Sequence, residues 1–206
     1  MPFTATPAFE TFVTDDELVA IATQYQRPWP LPLPTVDVES ADQLKISALR
    51  GMRSLLTRGG VLEGGDFQPG LARLASVVGA STTLTSYVGD REGNVVDWGF
   101  GFGAVEASDG WLVDEINALG LHRLSWADSV EEFFMGLLGG VYRHEVAVSA
   151  DRALCLARAQ ATGAEVLVVG NGTAMHLRLG DKGNALSSVA VTDLEAAIAA
   201  LLAAGQ

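Results

Sequence analysis

Residues 82–117 read TTLTSYVGDREGNVVDWGFGFGAVEASDGWLVDEIN, and this stretch decides the fold. Three segments in it are rich in the β-branched and aromatic residues that favour strands, namely 82–88, 95–104 and 110–117. Between them stand the turn sequences GDREGN at 89–94 and SDG at 108–110. The stretch therefore predicts consecutive antiparallel hairpins, so the protein is built around a sheet.

Glycines alternate along the second of these strands. Because successive side chains of a strand point to opposite faces, Gly99, Gly101 and Gly103 share one face. The other face carries Val96, Trp98, Phe100 and Phe102. The bare face allows close approach by a helix of this chain or by a ligand. We favour a helix of the chain, because three helices are predicted in the first eighty residues and need a sheet face to cover.

Those three helices have clear start signals. Capping boxes at 14–17 and 40–43 begin the first two, and Pro69 begins the third. Between the first two helices, the prolines at 28, 30, 32 and 34 alternate with Trp29, Leu31 and Leu33. This spacing predicts an extended connector that suits a sheet edge. Binding of the connector by an outside polyproline-recognising domain is the alternative.

The rest of the chain repeats a sheet-then-helix pattern. Segment 122–126 predicts a strand and Asp128 caps a helix that ends at 139–140. A helix at 151–162, strands at 164–169, 173–179 and 186–191, and a helix from Thr192 follow. Residues 126–138 also align without a gap on 190–202. We predict a single domain, 1–206, made of two halves, approximately 1–140 and 151–206.

Composition excludes several classes of function. The 206 residues contain 13 Lys and Arg against 25 Asp and Glu, a net charge of −12 that disfavours nucleic acid and anionic membrane surfaces. Cys155 is the only cysteine, which agrees with a reducing cytoplasm. The N-terminus does not resemble a signal peptide, and no apolar run is long enough to enter a membrane. We expect an acidic cytoplasmic protein without membrane insertion.

No motif for catalysis or cofactor binding is present. His122, His144 and His176 lack metal-site spacing, and neither a nucleophile elbow nor a phosphate loop occurs. Cys155 lies between leucines in a predicted helix and is expected to be a buried, inert thiol. The acidic pairs at 114–115 and 131–132 are interpreted as solvated. We expect no catalytic residue, metal or cofactor, and a protein that is not an enzyme.

The residues alone leave two classes of function open beside that of a protein that binds another protein and keeps it soluble. The first is a small-molecule-binding enzyme or sensor with a pocket over the glycine-rich strand, which would use His122 or His176. The second is a structural subunit of a larger assembly.

Three stretches together resemble a known family. They are DELVA at 16–20, ALRGMRSLLTRGGVL at 48–62 and PGLARL at 69–74, followed by the strands and the helix of residues 84–138. In this order they resemble the EspG family, cytosolic chaperones of type VII (ESX) secretion systems. The resemblance implies a pseudo-twofold α/β (α+β) fold, with a central antiparallel sheet flanked by helical bundles.

The resemblance also implies a partner and a binding site. Members of the family are not enzymes; they bind a helical PE–PPE substrate and keep it soluble until export. We also expect that this protein could form a homodimer. The contacts carry over to the C-terminal helices and to the hairpin between the first two strands. The candidate residues of the hairpin are Tyr87, Val88, Gly89, Asp90, Arg91, Glu92, Gly93 and Asn94. Tyr87 and Val88 are expected to supply apolar contact area. The charged residues 90–92 at the tip are expected to orient the partner. We expect the tip to have little to pack, so that alanine at 90–92 leaves stability unchanged.

Overall fold

An antiparallel sheet runs through the whole molecule. In the computed structural model, which describes residues 10–143, 145, 148–149, 151–160, 163–180 and 183–203, nine strands form one sheet in the order β1-β5-β4-β3-β2-β6-β7-β8-β9. The strands are β1 Glu10–Thr14, β2 Thr83–Gly89, β3 Val95–Ala107, β4 Gly110–Asn117, β5 Leu121–Ala127, β6 Ala153–Gln160, β7 Gly163–Gly170, β8 Thr173–Leu179 and β9 Ala185–Ala190. The hairpins predicted within residues 82–117 are confirmed.

The strand order is pseudo-twofold. Strands β2 to β5 form one meander followed by helix α4 (Glu131–Tyr142), and β6 to β9 form a second followed by α5 (Leu194–Ala203). The first strand of each meander, β2 or β6, lies at the centre, where the two pair along their whole length. The predicted mixed α/β fold with a central antiparallel sheet is therefore confirmed.

The N-terminal helices begin where the capping boxes predict. Helix α1 (Asp15–Gln24) starts with a reciprocal cap, in which the amide of Glu17 donates to Oγ1 of Thr14 and the amide of Thr14 donates to Oε2 of Glu17. Helix α2 (Ala41–Thr57) starts where the amide of Gln43 donates to Oγ of Ser40. The third helix is shorter than expected, since α3 (Pro69–Ala72) tightens at once into a 3-10 turn, Arg73–Ser76.

The two faces of the sheet carry different layers. Helix α1, the proline-rich connector and the 3-10 turn cover one face, where Leu18, Leu31 and Leu74 pack with residues of β3 to β5. Helices α4 and α5 cover the other face, where Phe134 and Ile198 pack with Leu156 and Leu167. The core is therefore split by the sheet into two layers.

The helix predicted at 151–162 is wrong, because this segment contains the central strand β6. Its alanine and leucine content suits a helix, but β6 pairs with β2 on one side and β7 on the other. Leu154, Leu156 and Arg158 line one face, and the smaller residues 153, 155 and 157 line the other. That alternation is the period of a strand.

Smaller differences concern helix ends and the first strand. Asp128 does not cap α4, which starts after Val130, and the helix continues past 139–140 to Tyr142. At the last helix, Asp193 rather than Thr192 accepts a hydrogen bond from a first-turn amide, that of Ala196. Strand β1 was not predicted; it pairs with β5, more than a hundred residues further along the chain.

Candidate functional site

The β2–β3 hairpin, residues 89–94, is held together by Asp90. Its carboxylate accepts hydrogen bonds from the amide of Glu92 (3.0 Å), the amide of Asn94 (2.8 Å) and the side chain of Asn94 (2.8 Å). The Asn94 hydrogen bonds, with those of the loop amides, lower the pKa of Asp90. The tip is thus a preorganised turn. The expectation that alanine at 90–92 leaves stability unchanged stays a prediction, and the hydrogen bonds to Asp90 identify residue 90 as the position of the three where a loss of stability would arise.

The base of the hairpin is packed onto the sheet. Gly93 has a φ of 84° and is buried, and a methyl group there would lie 3.0 Å from Cδ1 of Leu177. The Tyr87 hydroxyl donates to the Gly93 carbonyl oxygen at 2.7 Å. Tyr87 is only 5% exposed and packs with Cys155 and Val168. It therefore anchors the hairpin from below, and the expectation that it supplies apolar area to a partner is corrected.

Exposed side chains cluster on the outside of the hairpin. Arg91, Glu92 and Asn94 are exposed, whereas Val88 is half-buried and Gly89 is buried. Asp151, from the segment before β6, joins residues 90–92 around a shallow hollow of about 410 Å³. The sheet order brings the hairpin and Asp151 together, which sequence reasoning did not foresee.

Two exposed valines lie beside the hairpin. Val95 and Val96 follow the hairpin directly at the start of β3 and are 44% and 42% exposed. Their signal in the sequence is a β-branched pair placed immediately after a charged turn. The hairpin therefore combines exposed charges with neighbouring apolar area, the arrangement of a small recognition surface.

The connector covers the glycine face of β3. A methyl group on Gly103 would lie 2.8 Å from both δ-carbons of Leu31, so the connector lies across the sheet face rather than along an edge. Gly101 is also buried, while Gly99 and the side chains of residues 97–100 lie outside the described part of the structure. The chain itself covers Gly103, as we favoured, but with the extended connector instead of a helix.

A buried Asp-His-Asp cluster joins α1 to the sheet. The His122 ring lies between Asp15 (Nε2 to Oδ1, 2.6 Å) and Asp114 (Nδ1 to Oδ2, 2.8 Å). Both the amide and the hydroxyl of Thr35 donate to Oδ2 of Asp15 at 2.6 Å. His122 and Asp114 are 0% exposed, so the interpretation of Asp114 as a solvated acid is wrong. Because His122 has no exposed surface and both ring nitrogens are hydrogen-bonded, the cluster is a structural clasp.

The cluster has a defined charge state. Burial opposes a charge on His122, but the hydrogen bonds that its ring donates to Asp114 and Asp15 outweigh burial and raise the pKa of His122 to about 9. Burial likewise opposes the charge of Asp15, yet hydrogen bonds from His122 and Thr35 lower the pKa of Asp15. Burial raises the pKa of Asp114, whose Oδ1 has no hydrogen-bond partner among the described residues. At neutral pH the ring is an imidazolium that donates from both nitrogens.

Stability is therefore expected to fall as the pH rises from about 6.5 to about 9. Folding raises the pKa of His122 from 6.5 to about 9, so the native state holds a proton that the unfolded chain releases. The resulting stability is complete below the unfolded pKa and is lost as the pH passes the folded pKa, a change of about 3 kcal/mol. Urea unfolding at several pH values measures it. His176→Gln, as control, should keep the same pH dependence, and a stability that rises over this range would contradict the clasp.

The remaining features that bear on function are the single cysteine, groups that could bind a metal ion, and helices that could cross a membrane. Cys155 is fully buried, and burial raises its pKa to about 12, so the prediction of a buried thiol is confirmed although the residue lies in a strand. Among the described residues, no group of three or more His, Cys, Asp or Glu side chains could hold a metal ion. No helix in the described ranges has the length and apolar character needed to cross a membrane.

The fold defines the class: a mixed α/β protein with a pseudo-twofold antiparallel sheet, in which Asp90 and Tyr87 stabilise the β2–β3 hairpin by hydrogen bonds. A solved structure of the same fold is that of the Mycobacterium tuberculosis type VII secretion system chaperone EspG5 in complex with the PE25–PPE41 dimer. The match covers 94% of this chain and 96% of that chain, with a TM-score of 0.55 and 10% sequence identity. The resemblance to EspG proteins is confirmed at the level of the fold. No family model and no curated protein matches the sequence.

Proposed function

We propose that this protein is a cytoplasmic chaperone that binds a helical PE–PPE-type substrate and keeps it soluble for type VII export. The observation that carries the proposal is the fold shared with EspG5 over nearly the whole of both chains. In that structure the chaperone is bound to a PE–PPE dimer. A holding role needs an exposed recognition surface and no reaction centre.

The β2–β3 hairpin is the proposed contact surface. The Asp90 hydrogen bonds and the Tyr87–Gly93 hydrogen bond preorganise it, so that little conformational entropy is lost when a partner binds. Val95 and Val96 offer apolar area for a helical tip, and Arg91 and Glu92 stand at the rim. Rim charges affect orientation and specificity more than affinity.

Changing Val96 to aspartate is expected to weaken capture of a PE–PPE dimer while leaving the fold intact. A charge at the centre of the apolar contact would be desolvated without a partner, which should weaken binding at least about tenfold. Because Val96 is exposed, the free energy of unfolding should change by less than about 0.5 kcal/mol. Co-purification and calorimetry with a panel of PE–PPE dimers, PE25–PPE41 among them, measure the binding.

Two further variants sharpen this test. Leu62→Asp is the matched control, because Leu62 is 48% exposed and belongs to the segment after α2 and not to the hairpin; it should bind normally. Arg91→Ala with Glu92→Ala, which leaves Asp90 in place, should alter the choice among dimers more than the strongest affinity. Equal binding by wild type and Val96→Asp would remove the hairpin from the interface. Binding to no dimer in the panel would contradict the proposed function.

A further inference from the structure

An apolar cavity lies beside the connector, on a different part of the molecule from the hairpin. It has a volume of about 700 Å³ and is lined by the second half of α1, the connector and the first turn of α2. Ala22, Trp29, Leu31, Leu33, Val36 and Leu44 supply much of its apolar wall. Pockets of this volume and character are typical of sites for small organic ligands.

The lining of the cavity has a single sign of charge. Among the residues that the structure describes, no acidic residue lines it, although the chain has 25 acidic residues, and Arg27 is the only charged residue in the lining. Arg27 is exposed, and its guanidinium has no hydrogen bond or ion pair with any residue that the structure describes. Its aliphatic part lies against Gly79, where a methyl group would come within 2.8 Å of Cδ of Arg27. Contact with Gly79 thus positions the aliphatic part of the Arg27 side chain, and the guanidinium is available to bind an anion.

The residue before Arg27 has an unusual backbone for its side chain. Gln26 has a φ of 56° at the end of α1, where the amide of Arg27 donates to the carbonyl of Ala22 and that of Gln26 to the carbonyl of Thr23. This is a Schellman motif, in which glycine is usual at the left-handed position. A glutamine there lines the cavity with a polar amide at a cost in backbone strain.

We propose that the cavity binds a small amphiphile with an acyl or similar apolar body and one anionic head group, such as a medium-chain carboxylate. The apolar body lies among Trp29, Leu31 and Leu33, and the head group accepts hydrogen bonds from Arg27 and Gln26. Charge complementarity selects the anion, because Arg27 offers the only charge among the described residues of the wall. This site does not depend on the proposed chaperone role.

Calorimetric titration of the full chain with decanoate and with decanol, both below their aggregation concentrations, tests the proposal. Decanoate should bind with a stoichiometry of one. Arg27→Gln should weaken decanoate binding about tenfold or more, because a charge-assisted hydrogen bond is lost, and should leave decanol binding unchanged. Arg53→Gln, a change at an exposed arginine of α2 that does not line the cavity, should have no effect.

A second variant keeps the test independent of charge. Thr23 is exposed and lines the cavity, so Thr23→Trp should fold normally and block both probes. The proposal is overturned if the full chain does not bind decanoate saturably. Equal decanoate binding by wild type and Arg27→Gln would also overturn it. Unchanged capture of PE–PPE dimers by Arg27→Gln would show that the two sites are separate.

Discussion

Replacing His122 with alanine is expected to lower the free energy of unfolding by about 3–5 kcal/mol. The imidazolium stands between the carboxylates of Asp15 and Asp114, which are almost entirely buried. Without it, the carboxylates lose their shared cation and a hydrogen-bond donor each, in a place that water does not reach. Urea unfolding followed by circular dichroism measures the loss, which is a large part of the stability of a typical domain.

Two comparisons separate this effect from the general cost of removing an imidazole. The His176 side chain is about a third exposed (36%), and its Nε2 lies 3.7 Å from Oε2 of Glu165. His176→Ala should therefore lower the free energy of unfolding by less than about 1 kcal/mol. Adding Asp114→Asn to His122→Ala removes one uncompensated charge and should restore part of the stability. If His122→Ala costs no more than His176→Ala, the cluster does not clasp α1 to the sheet.

Replacing Gly51 with alanine is expected to destabilise the fold by about 3 kcal/mol or more, although alanine is the better helix former by about 1 kcal/mol. A methyl group on Gly51 would lie 1.8 Å from the carbonyl oxygen of Asp16 and 2.7 Å from the amide nitrogen of Glu17. These are backbone atoms, so no side chain can move aside, and α1 and α2 would have to separate. Separation would also pull Ser54 and Arg58 of the α2 end away from the buried Glu17 carboxylate.

A glycine-to-alanine change in α4 is expected to have the opposite effect on the free energy of unfolding. Gly136 lies in the middle of α4, and a methyl group there meets nothing within 4 Å. Gly136→Ala should therefore stabilise the protein by about 0.5–1 kcal/mol through helix propensity alone. Chemical unfolding of both variants measures the difference. Similar stabilisation by Gly51→Ala would contradict the close approach of the two helices.

Local signals predicted much of the first half of the chain. The turns at 89–94 and 108–110 and the capping boxes at Thr14 and Ser40 act over a few residues, and the elements they bound were placed correctly. Strand β6 was misassigned because alanine and leucine favour a helix in isolation. Pairing with β2, which is distant in the sequence, and with β7, the next strand along the chain, overrides that preference.

The candidate site was predicted in part. The charged turn identified the hairpin, but its register determines that Tyr87 faces inward while Val95 and Val96 are exposed. A one-residue difference in a strand reverses the exposure of a side chain, so composition could not decide this. The cavity beside Arg27 depends on how the connector lies across β3, which no local pattern reports.

By itself the sequence determined the class of fold, the boundaries of the hairpins and the acidic, cysteine-poor character of the protein, since these depend on residue type and short-range spacing. Only the tertiary structure decided which polar groups meet inside it. His122 and Asp15 are 107 positions apart along the chain, yet their atoms lie 2.6 Å apart in the fold. Such contacts arise when the sheet order brings distant segments together, and burial then makes a pairing of charges obligatory.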